Sequence, residues 1–102
     1  MNPDVKNTAS ANSGSPTVNI PTTQKPKYFI AACVPSNSAD GYLIVINYDT
    51  DSGFYIAPNG SRVDLNAAYI ATWMPASDTG ITFKLYGFIG SGTPKVNYAV
   101  YY

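Results

Sequence analysis

Side chains able to do acid–base or metal chemistry are scarce in this sequence. The chain has 102 residues, six acidic residues that are all Asp, and no His or Glu. Ser-His-Asp and Cys-His nucleophile systems and most zinc sites therefore have no means of assembly. General acid–base work would rest on paired Asp side chains, and the one close pair is Asp49 with Asp51, in the run DTDSG (49–53). Asp in such a run hydrogen-bonds its own backbone and shapes a turn, so the pair is read as turn chemistry. A calcium loop wants a further oxygen ligand before its glycine and a Glu later in the loop. Both are missing, so no metal is expected there. Cys33 sits in the apolar run IAACV as the only cysteine and is read as a small buried hydrophobe. The glycines of GFIGSG (87–92) are followed by neither a helical pattern nor a correctly spaced Lys, so they read as a hairpin loop and not a phosphate cradle. No cofactor is expected, and the chain is read as non-enzymatic.

What remains is an unusual stock of aromatic rings. Nine Tyr, four Phe and one Trp are more than a small core hides. Tyr combines a rigid apolar face with a hydroxyl, the combination enriched at protein interfaces. The candidate partner-contact residues are Tyr42, Tyr55, Tyr69, Trp73, Tyr86, Tyr101 and Tyr102, with Val5, Val18 and Ile20 from the amino-terminal segment. The same rings could stack on a glycan, with Trp73 the first suspect.

These residues must be positioned by strands. The stretch YLIVINYDTDSGFYIAPNGSRVDL (42–65) reads as strand, turn, strand, turn, strand. YLIVINY (42–48) is apolar on both sides of a strand, Leu43 and Val45 on one and Ile44 and Ile46 on the other, which predicts a central strand covered on both faces. DTDSG makes the first turn, and Pro58-Asn59-Gly60 makes the second, with Gly60 supplying a positive φ. SRVDL (61–65) alternates, Val63 and Leu65 in, Arg62 and Asp64 out. KYFIAACV (27–34) is a strand ended by Pro35 and the turn cluster PSNSADG. ITFKLYGF (81–88) points Ile81, Phe83 and Leu85 inward, and KVNYAVYY (95–102) does so with Val96, Tyr98 and Val100.

NAAYIATWM (66–74) is ambiguous. Asn66 and the alanines favour a short capped helix, whereas Tyr69, Ile70, Thr72 and Trp73 favour a strand; a strand over 69–74 is the expectation. About seven short strands with Gly/Pro turns predict an all-β fold, a small antiparallel β-sandwich of jelly-roll or Ig-like type.

Residues 1–27 differ in composition. They hold Pro3, Pro16, Pro21 and Pro26 among Asn, Ser and Thr, with Val5, Val18 and Ile20 the sizeable aliphatics. Too little apolar surface is present to offset the ordering entropy. The expected organisation is thus an extended arm over 1–27, able to lie across a neighbouring subunit, and a β-sandwich over 28–102 that keeps its fold without it. A domain that small is marginal alone, which points to an oligomer.

Charge bounds the partners. Charged residues make up 12% of the chain and the net charge is zero, which argues against nucleic acid as a partner. No secretory signal or membrane-spanning run is visible. A low-charge, Tyr/Asn/Ser/Thr-rich surface with no export signal fits a virion protein, made in the host cytoplasm and working outside it. The expectation is a structural or assembly protein of a phage particle, a capsid decoration or fibre protein, contacting copies of itself or a capsid or tail protein. In composition the chain resembles the small β-sandwich proteins of phage particles, a likeness of style that no particular residue carries. The alternatives are a carbohydrate-binding adhesin module and a small cytoplasmic inhibitor or immunity protein.

Overall fold

A computed structural model describes residues 2–11, 15–35, 41–85 and 93–102. Its elements in order are β1 (Val5–Ser10), β2 (Thr17–Pro21), β3 (Tyr28–Val34), β4 (Tyr42–Asn47), β5 (Ser52–Ile56), β6 (Arg62–Leu65), α1 (Ala67–Trp73), β7 (Gly80–Lys84) and β8 (Lys95–Tyr101). The strands form two antiparallel sheets, one of six strands in the order β1-β8-β3-β4-β5-β6 and one of two, β2-β7. This is a small all-β sandwich with one short helix.

The core lies between the sheets, and strand alternation fills it. The large sheet contributes Phe29, Ala31 and Cys33 from β3, Ile44 and Ile46 from β4, and Val96, Tyr98 and Val100 from β8. The small sheet answers with Val18, Ile20, Ile81 and Phe83. Phe29 and Phe83 join the layers with ring centroids 5.5 Å apart. The inward positions expected in 81–85 and 95–100 are all buried. Val63 occupies the inner side but stays 38% exposed, because β6 is the edge strand of the sheet among the described residues.

The amino-terminal segment departs from expectation. It is no separate arm: β1 pairs with β8 along its whole length and β2 pairs with β7. Val18 and Ile20, expected to touch a partner, are each 1% exposed in the protein's own core. Sparse apolar side chains do not predict this, because main-chain hydrogen bonds add to the burial of Val18 and Ile20 in holding the segment. Asp4 N–H donates to Val100 O, Ala11 N–H to Pro94 O, Thr22 N–H to Thr79 O and Leu85 N–H to Pro16 O, at 2.9 to 3.1 Å. A main-chain donor or acceptor left unmade on folding is costly, which holds the segment in register.

The expected strand over 69–74 is helix α1. Asn66 Oδ1 accepts the Tyr69 N–H at 2.9 Å as an N-cap, and Ile70 and Met74, four apart, both turn inward. Tyr48, buried beneath, donates its hydroxyl to Met74 O at 2.8 Å.

β4 carries the third correction. Its Ile44–Ile46 side is buried, but the Leu43–Val45 side has no second layer among the described residues, and Leu43 is 41% exposed. The expected cover exists on one face.

The turns follow the residue chemistry, with one change of agent. Gly60 has φ 86° as expected. At 49–53 the Asn47 side chain, through Oδ1, accepts the Asp49 and Thr50 N–H groups, and Asp51 supplies the positive φ, 49°. The turn cluster at 36–40 and the loop GFIGSG lie outside the described residues.

Candidate functional site

The uncovered face of the six-stranded sheet is where this molecule offers most to a partner. Strand register places its residues in rows. One row runs Lys6, Ala99, Ile30, Val45, Phe54, Asp64 from β1 to β6. The next runs Thr8, Asn97, Ala32, Leu43, Ile56, Arg62. Tyr101, Tyr28, Asn47 and Ser52 make a third. Side chains in a row share a face because cross-strand partners point the same way. The centre is therefore apolar, and the charges stand at its two margins.

The face is uneven. Ala32 and Ala99 leave a depression of about 450 Å³ lined with Lys6, Ile30, Leu43 and Asn97. On the other half, Phe54 stands under Arg62, whose guanidinium carbon lies 4.1 Å from the ring centroid. Arg62 Nε donates to Asp64 Oδ1 at 2.9 Å, an exposed ion pair closing that margin. Gly53 is required beneath it: a Cβ there would come 2.3 Å from Val45 O. On the third row Tyr101 meets Tyr28 edge to face, centroids 6.4 Å apart at 82°.

A contiguous apolar sheet face left exposed is the usual kind of candidate for an interaction surface. Apolar surface returns free energy when removed from water, about 25 cal/mol per Å². Among the described residues nothing covers it.

The residues expected to touch a partner are scattered by the fold. Tyr101 is on this face. Val5 is on the inner side of β1, half-buried against the core. Tyr42 and Tyr55 sit together on the inner side, centroids 6.0 Å apart, half-buried against the core. Tyr69 and Trp73 stack on one another along α1 at 5.8 Å, and Lys84 Nζ lies 5.7 Å from the Trp73 ring centre. Tyr102 is half-buried and its hydroxyl accepts the Thr23 N–H at 3.0 Å. Tyr86 lies outside the described residues. Sequence reading missed Ile30, Ala32, Leu43, Val45, Phe54 and Ile56 as a surface. Their signal is the two-sided apolar pattern of β4, a pattern that two covers and one cover with an exposed apolar face share.

Reactive groups are not gathered at this face. Cys33 points into the core; burial pushes its thiol up to about 12, with a hydrogen bond from Tyr42 offsetting part of the rise. Burial likewise raises the Tyr48 phenol. Among the described residues no three of His, Cys, Asp and Glu come close enough to hold a metal, and no helix is long and apolar enough to cross a membrane. Comparison with family models, with curated proteins and with solved structures finds no match.

Proposed function

We propose that this protein is a non-enzymatic assembly protein, a structural component of a phage-type particle, that docks against protein through the outer face of its six-stranded sheet. The observation that carries the reading is β4, apolar on both sides and covered on one. A sheet buried on both faces reads as continuous apolar strands, and a partner laid on Leu43, Val45 and their neighbours completes that condition. The docking role passes from the amino-terminal segment, which is occupied in its own sheets, to this face. The particle setting is supported by a charged fraction of 12% and zero net charge, which leave little repulsion between closely packed copies.

The test is recovery of the chain in particles purified from cells that carry its gene, beside the variant Ile30→Lys/Val45→Lys. Both substitutions lie on the outer face and leave the core untouched. The expected result is that the wild-type chain co-purifies with the particles and the variant, still folded by circular dichroism, is left in the supernatant. A wild-type chain absent from particles, or equal incorporation of the variant, overturns the proposal.

A further inference from the structure

We infer that the occupant of the outer sheet face is a second copy of this chain, packed sheet to sheet about a two-fold axis that runs parallel to the strands between β3 and β4. This rests on the reading of that face as a docking surface and names its partner.

The rows of the outer face select this axis. A two-fold axis parallel to the strands reverses the order of strands across the interface and keeps the level along them. β1 then faces β6 of the second copy, β8 faces β5, and β3 faces β4. In the first row Lys6 meets Asp64, Ala99 meets Phe54, and Ile30 meets Val45. In the second, Thr8 meets Arg62, Asn97 meets Ile56, and Ala32 meets Leu43. Every bulky side chain of the β4–β5 half is thus set against an alanine, an asparagine or a matching aliphatic. The depression at Ala32 and Ala99 receives Leu43 and Phe54 of the partner, and by symmetry donates the same pair.

Charge selects the same axis. Lys6 stands at one end of its row and Asp64 at the other. Asp64 takes Arg62 through Oδ1, so the incoming Lys6 ammonium meets Oδ2. The other face-to-face arrangement, with the axis across the strands, keeps the strand order. It sets β1 on β1, bringing the two Lys6 margins together, and sets Phe54 and Ile56 on their own kind. Aligned sheets cross at about 30°, which at the margins offsets the rows by roughly two residues, a shift within reach of a Lys side chain.

The size is adequate. Six strands at about 4.8 Å and five residues at about 3.4 Å give a face of about 500 Å² in flat projection. Two such faces bury about 1,000 Å² before corrugation is counted, the lower bound for a specific interface.

The experiment is light scattering across a concentration series, with two engineered pairs. Wild type is expected at twice the 10.9 kDa chain mass. Lys6→Asp is expected to weaken dimerisation by about tenfold, as two symmetric contacts turn from attraction to repulsion, and Lys6→Asp/Asp64→Lys to recover it. Ala99→Cys/Phe54→Cys tests the axis directly. Within one chain three strand spacings, roughly 14 Å, separate these positions, so a thiol cross-linker shorter than that span joins them only between chains. A covalent dimer on a denaturing gel supports the arrangement. A monomer at every concentration, no recovery in the charge swap, or no cross-linked dimer overturns it. A monomeric wild type whose particle recovery still depends on Ile30 and Val45 removes the second copy and leaves the docking face standing.

Discussion

Phe29 and Ile30 are neighbours in β3, and the sheet sends one to each side. The inward residue is fully buried between Phe83 and Tyr98. The outward one sits half-buried beside Val45 and Ala99 in a row that faces no second layer among the described residues. The two faces of the six-stranded sheet are similar in residue type along β3 and β4 and opposite in circumstance. Inside, the pair β2-β7, helix α1 and Tyr48 close over the sheet. Outside, no described element closes over the same kind of side chain. What separates a core from an interface here is the presence of a cover, not the chemistry of the side chains. Apolar burial is non-directional, so either face can be satisfied by whatever layer reaches it.

The comparison breaks most completely if the inner cover is removed. Deleting residues 1–27 takes away β1 and β2, exposes the inner sides of β7 and β3, and leaves the β7 ladder unpaired. The expected outcome is loss of the cooperative thermal transition and of near-ultraviolet circular dichroism. A truncated chain that melts like the full one would show that β2 is not needed as a cover.

A sharper form uses the two neighbours. Phe29→Ala is expected to cost about 3–5 kcal/mol, because transfer and cavity terms both apply in a closed core. Ile30→Ala is expected to cost about 1 kcal/mol or less in the isolated monomer. Urea unfolding at concentrations below the onset of association measures both. Equal costs would mean that the two faces are equally covered.

The most gradual effect is confined to the inner face and reads its dryness. The unfolded thiol of Cys33 releases its proton near 9.0 and the folded one near 12. Between those values the unfolded state binds fewer protons, so stability is flat below pH 9.0 and falls as pH rises through the window. The slope is at most about 1.4 kcal/mol per pH unit. Cys33→Ala is expected to flatten that part of the alkaline profile, which urea midpoints from pH 8 upward would report. An unchanged slope would place water beside the thiol.

Much of the fold was legible in the residues. Period-two alternation identified the inward residues of β7 and β8, and the turn residues placed Gly60 and the Asp49–Gly53 bend. Three elements were not. The strand propensity of Tyr69, Ile70 and Trp73 concealed α1, which the Asn66 cap and the inward turn of Ile70 and Met74 decide together. The sparse aliphatics of residues 1–27 concealed β1 and β2, since main-chain donors and acceptors look alike in every sequence.

The sequence by itself determined which side chains travel together. Ile30, Ala32 and Val34 must share one side of a strand, and Phe29, Ala31 and Cys33 the other, because a strand alternates its side chains whatever surrounds it. It also determined the scarcity of titratable chemistry, since composition survives any folding. The tertiary structure decided which of the two sides is closed over and which strands lie beside which. Those outcomes depend on β2-β7 and α1 docking from far along the chain, and on a register that brings Lys6 and Asp64 to opposite ends of one row. Alternation is a local property of the backbone; cover is a property of the whole chain.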